Sequence, residues 1–186
     1  MPEHFERAFD RLRLIQRNAV LIDPAIKIIH DANTVRVCQK KSSFITLDEA
    51  RGNEAAKEII SGVSKLLEAE IIHGDLCAAN IGFSESGALQ VFDWEPFLEI
   101  KSKNFCFSQL RSSKYAIHPL DLKNNRISVR SDLFAVGNLL LQALHGRFDG
   151  LKLGKRFSKT IGSLSENTCQ IKLTMHKLLK LAQAAK

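Results

Sequence analysis

An α+β fold is what this 186-residue sequence predicts, and three patterns predict it. The first is a helical period across residues 53–72, NEAAKEIISGVSKLLEAEII, where Ile59, Ile60, Val63, Leu66 and Leu67 recur at i, i+1, i+4, i+7 and i+8. The second is a pair of short strands, NIGF and LQVFDW, around the polar turn Ser84-Glu85-Ser86-Gly87. The third is DLFAVGNLLLQALHG, apolar on nearly every face, which belongs in the middle of a helical mass.

The remaining elements follow in order. HFERAFDRLRLIQ places Phe5, Phe9 and Leu12 on one helical face, and Pro24 ends any helix there. AIKIIHD and TVRVCQK then read as a hairpin turning at Asp31-Ala32-Asn33. Asn53 is placed to cap the long helix ahead of Glu54. Residues 97–128 have no clear period and read as a long ordered loop, and Ser131 or Asp132 is placed to cap the apolar helix. GLKLGK at residues 150–155 reads as a basic loop, not a phosphate-binding loop, because its spacing is wrong and no strand precedes it. A last amphipathic helix spans about Thr168 to Ala185, with Ile171, Met175, Leu178 and Leu179 on one side.

Composition narrows the class. Apolar residues make up 45% and charged residues 25%, which suits one cored domain and not a disordered chain. No apolar run is long enough to span a bilayer, and the charged opening MPEHFERAFDRL lacks a signal-peptide core. Cys38, Cys77, Cys106 and Cys169 lack the spacing of a zinc site or a disulfide framework, so a reducing, cytoplasmic location is expected. A net charge of +7 invites an anionic partner, but aromatic residues are not interleaved with the cations as nucleic-acid stacking requires. No nucleic-acid partner is expected.

The segment HGDLCAANIGF, residues 73–83, sits between the long helix and the strand pair. An acid and an amide five residues apart there suit phosphoryl transfer, which needs a carboxylate to position the acceptor and oxygen ligands for magnesium. Asp75 fits the first need and Asn80 the second. A further carboxylate is wanted at the end of the next hairpin, and Asp93 closes LQVFD.

The runs HGDLCAAN and VFDWE resemble the catalytic loop and the metal-binding motif of protein kinases, and also the H-G-D form of aminoglycoside and choline kinase-like phosphotransferases. KYAIHPLDLKNNRISVRSDLFAVGNLLLQALHGR is similar to the kinase segment that follows, where a Pro-containing motif precedes a helix opening on Ser-Asp. The resemblance implies a protein kinase-like fold with ATP and magnesium as cofactors. Asp75 is then the catalytic base, Asn80 and Asp93 the magnesium ligands, His73 a structural member of the loop, Asp132 the residue holding the loop backbone, and Pro119 the anchor of the activation segment. It also implies a mainly helical large lobe over residues 53–186 and a reduced small lobe over 1–52, with Glu3 or Glu6 as the glutamate of its helix.

The sequence departs from the family in several places. No glycine precedes Gly52, so the small lobe lacks the glycine-rich loop that covers the phosphates. Ala25-Ile26-Lys27 imitates the motif that carries the ATP lysine, making Lys27 its candidate, although Lys27 lies close to Asp75 in sequence. Gly74 stands where an arginine usually reads activation-loop phosphorylation, and Trp94-Glu95 replaces Phe-Gly as in small-molecule phosphotransferases. Three functions are therefore expected in order: a minimal kinase acting on a protein hydroxyl, a pseudokinase serving as a binding module, and a small-molecule phosphotransferase. A protein substrate, or a partner that completes the nucleotide site, is implied.

Overall fold

The computed structural model of the chain describes residues 27–31, 34–38, 44–92, 98–99, 117–124, 127–146, 150–162 and 168–185. Strands β1 (Lys27–Asp31) and β2 (Thr34–Cys38) form an antiparallel hairpin with Asp31 opposite Thr34 and Lys27 opposite Cys38. The amphipathic helix expected from Phe5 lies outside the described residues.

Helix α1 (Leu47–Ala50) is short, and a complete capping box starts it. The Glu49 amide donates to the Thr46 hydroxyl, while the Glu49 carboxylate accepts from the Thr46 amide at 2.8 Å. Helix α2 (Asn53–Glu68) follows, and here the expected cap shifts by one residue: Gly52, not Asn53, is the N-cap. Gly52 has φ of 122°, which lets the chain reverse sharply between the two helices, and its amide is used by the Ala143 carbonyl at 2.9 Å. Asn53 is thereby drawn into the first turn of the helix.

The helix ends at Glu68, and Ile71–Ile72 leave it as strand β3, paired antiparallel with β6 (Leu98–Glu99). Strands β4 (Ile81–Phe83) and β5 (Leu89–Val91) pair Ile81 with Val91 and Phe83 with Leu89. An isolated bridge from Ile45 to Phe83 ties the chain before α1 to this hairpin.

Within the expected loop of residues 97–128, the described residues include β6 and helix α3 (Pro119–Lys123). His118 caps α3 by accepting the Leu120 amide at Nδ1, 3.2 Å away, and Pro119 occupies the first turn where a missing N–H costs nothing. Helix α4 (Val129–His145) begins three residues before the expected start, because Ser128 is its cap and accepts the Arg130 amide. Ser131 and Asp132 thus lie inside the first turn, free to serve other partners.

Residues 150–155, expected as a basic loop, open helix α5 (Gly150–Gly162) instead. The apolar pair Phe157 and Ile161, four residues apart and both fully buried, drives that helix into the core despite its many cations. Helix α6 (Thr168–Gln183) matches the expected last helix, burying Ile171, Met175 and Leu178.

Helix α4 is the hub. It packs against α1, α2, α5 and α6, so nearly all its side chains from Val129 to Leu141 are buried. Each fully buried Leu or Val there contributes about 1.5–3 kcal/mol of transfer free energy. At Gly137 the approach of α5 is so close that an added Cβ would sit 2.8 Å from the Phe157 ring. Among the described residues, no helix is long and apolar enough to cross a membrane.

Candidate active site

The loop between β3 and β4 is fixed from below by one carboxylate. Asp132, fully buried in the first turn of α4, accepts the His73 amide at 2.7 Å and the Gly74 amide at 2.8 Å, one on each oxygen. Burial pushes its carboxyl up to about 7; the two amides pull against that, and the charges of Asp75 and Asp121 add to it. The cost of burying the group is the reason it is placed where two donors converge.

Gly74 has φ of 78°, a left-handed conformation that turns the backbone so that consecutive amides face the same carboxylate. His73 completes the clamp. Its Nδ1 accepts the Asp75 amide at 3.2 Å and its Nε2 meets the Phe92 carbonyl at 2.9 Å. Since an amide N–H can only donate and a carbonyl can only accept, both bonds are met by the neutral ring protonated on Nε2. His73 is buried and joins the loop to the far end of the β4–β5 hairpin.

The loop then makes a single 3₁₀ turn, Ala78–Asn80, which delivers Asn80 to the start of β4. The Asn80 side-chain nitrogen donates to the Asp75 carbonyl at 2.9 Å and lies 3.4 Å from the Asp75 carboxylate. Both neighbours are acceptors, which fixes the amide nitrogen toward Asp75 and leaves the Asn80 oxygen pointing the other way. The Asn80 carbonyl accepts the Phe92 amide at 2.8 Å. Phe92 is therefore held at its amide by Asn80 and at its carbonyl by His73, one residue before Asp93.

Asp75, Asn80, His73 and Asp132 are thus gathered into one connected network. Asp93 lies outside the described residues, as do Trp94 and Glu95. Lys27 is the first residue of β1, and Pro119 sits at the N-terminus of α3.

Two further polar groups, without a motif in the sequence to mark them, support the network. Asp121, fully buried on α3, accepts the hydroxyls of Ser128 at 2.6 Å and Ser131 at 2.8 Å, tying α3 to the N-terminus of α4. His118, also fully buried, meets the Ser158 carbonyl at 3.2 Å and stacks edge-on against Phe134. Burial holds its pKa below the usual histidine value, partly offset by the Ser158 bond and by Asp121. Neither residue has a periodic signal, and the serines that Asp121 meets lie seven and ten residues further along the chain.

A family model described as the protein kinase domain matches residues 25–178. With most of its length inside that match, the chain belongs to the protein kinase domain family. No curated protein matches the chain closely enough to count as a relative.

Proposed function

We propose that this chain is a phosphotransferase that uses ATP and magnesium to phosphorylate a protein hydroxyl. The observation that supports it best is the Asn80 amide: its nitrogen is anchored on Asp75, and its oxygen, a hard neutral donor suited to magnesium, is turned away from that anchor. Asn80 and Asp93 are the proposed metal ligands, and Lys27 is the proposed contact to the α- and β-phosphates. Bound magnesium would neutralise charge on the phosphates during transfer.

Asp75 orients the acceptor hydroxyl and takes its proton as the new oxygen–phosphorus bond forms and the bond to the leaving ADP oxygen breaks. Asp132 and His73 act through the loop, as positioning residues. Because Gly74 stands in place of an arginine, activity would not require a phosphorylated activation loop. Residues 1–52 would form the reduced small lobe and residues 53–186 the large lobe, in a reducing cytoplasm.

The test is label transfer from γ-labelled ATP, with magnesium, to the chain itself and to a generic protein. Transfer abolished by Asp75→Asn and by Asp93→Asn supports the proposal, with a loss of about 10²–10⁴-fold for Asp75. Transfer that survives both substitutions contradicts it.

A pseudokinase is the second reading, favoured by one observation: no glycine precedes Gly52, so residues 1–51 supply no glycine-rich cover for the phosphates. It predicts nucleotide binding without transfer. A small-molecule acceptor in place of a protein, suggested by Gly74 and Trp94-Glu95, would show as transfer to aminoglycoside or choline but not to protein.

A further inference from the structure

Away from the loop, the outer face of α3 and the adjoining flank of α5 carry features for which the phosphotransfer network has no use. Helix α3 buries Asp121 and leaves Leu120 and Leu122, 44% and 42% exposed, and the exposed Lys123 spread over its solvent side. Single exposed leucines are ordinary, and here two on one helical turn adjoin the exposed cation Lys123.

Helix α5 adjoins this face. His118 Nε2 lies 3.2 Å from the Ser158 carbonyl and 3.1 Å from its hydroxyl, and Leu120 reaches to 3.9 Å from the point where a Cβ on Gly162 would stand. Ser158 and Gly162 therefore mark the side of α5 that looks toward α3. At about 100° per residue, Lys155 and Lys159 follow them round the helix, on the side away from the buried Phe157 and Ile161. Both lysines are exposed. Among the described residues, the ion pairs join Arg51 to Asp48, Lys57 to Glu54 and Lys172 to Glu68, and none involves Lys123, Lys155 or Lys159.

We propose that this face docks an acidic segment of a partner protein through carboxylates on Lys123, Lys155 and Lys159 and apolar side chains on Leu120 and Leu122. The charge argument is complementarity: Lys123, Lys155 and Lys159 are exposed with no counter-ion among the described residues, so an acidic segment is attracted to them while its apolar residues cover the leucines. Two half-exposed leucines give shallow anchorage, enough for a peptide but far from the continuous apolar face that a membrane-surface element needs. A nucleic-acid strand would find no aromatic side chain among the exposed residues of this face. The proposal is independent of phosphotransfer, because it is read by binding and requires no turnover.

The experiment is fluorescence anisotropy with the full chain and a labelled peptide of about twelve residues, glutamates with leucine at every third position. Binding is expected, weakening with added salt. Lys155→Glu with Lys159→Glu should weaken it at least about tenfold, as should Leu120→Ser, whereas the same charge change on α2, Lys57→Glu with Lys65→Glu, should leave it intact. Circular dichroism checks that each variant stays folded, as expected for exposed positions. No binding of the peptide, equal weakening by the α2 pair, equally tight binding of an all-glutamate peptide, or comparable α5-lysine-dependent binding of phosphatidylserine vesicles or duplex DNA would each overturn the proposal.

Discussion

At the level of single residues, the loop between β3 and β4 is shaped by backbone requirements as much as by its charged side chains. Gly74 occupies a left-handed conformation, so Gly74→Arg, which restores the family's usual residue, should lower stability by about 1–2 kcal/mol in urea titration. Asp132→Ala strands two buried amides, those of His73 and Gly74, and should lower stability by about 2–4 kcal/mol; a change within about 0.5 kcal/mol would show that the clamp is unimportant. Much of this loop was legible in advance, since Asp75 and Asn80 are polar residues set between a helix signal and a strand signal. Asp121 and His118 were not legible. Their partners, Ser128, Ser131 and Ser158, are brought to them by packing of α3, α4 and α5, and no local period records such contacts.

At the level of elements, patterns anchored on buried apolar residues were the readable ones. Helices α2 and α6 and the β4–β5 hairpin appear where periodicity put them, because each presents a long apolar face to the core. Boundaries shifted at both helix starts: Gly52, with φ of 122°, makes the turn and takes the cap in place of Asn53 without a side-chain bond, and Ser128, which accepts the Arg130 amide, takes it in place of Ser131 or Asp132. Helix α5 was hidden because its cations obscure the short apolar spacing of Phe157 and Ile161. That spacing matters energetically. Phe157→Ala should destabilise by about 3–5 kcal/mol by leaving a cavity against α4. Gly137→Val should cost about 1–3 kcal/mol from the facing side, since its branched side chain meets the Phe157 ring; thermal melts of the two single variants and the double variant should show non-additive losses.

At the level of the whole molecule, two buried titrating groups pull the pH dependence of stability in opposite directions. The folded Asp132 carboxyl, at about 7, binds a proton more tightly than an unfolded aspartate near 3.8. Its contribution is fully present below about pH 4 and is lost as pH rises through 7. His118, held below 6.5 when folded, does the reverse: its contribution is present above pH 6.5 and is lost as pH falls through the folded value. Subtracting the stability of Asp132→Asn from that of the parent across pH 4–8 should give a difference that falls with pH, whereas the same subtraction for His118→Asn should give one that rises with pH below 6.5. Matching slopes of the same sign would contradict these assignments.

The central claim is that Asp75, Asn80 and Asp93 face one cation and nucleotide cleft, and paramagnetic relaxation reads it without requiring turnover. With ATP present, manganese in place of magnesium should broaden the Asn80 side-chain amide and the backbone amides of Asp75 and Asp93 together, and Asn80→Ala should weaken the effect throughout the set. Broadening confined to other surfaces, with these three signals sharp at saturating manganese and ATP, would contradict it.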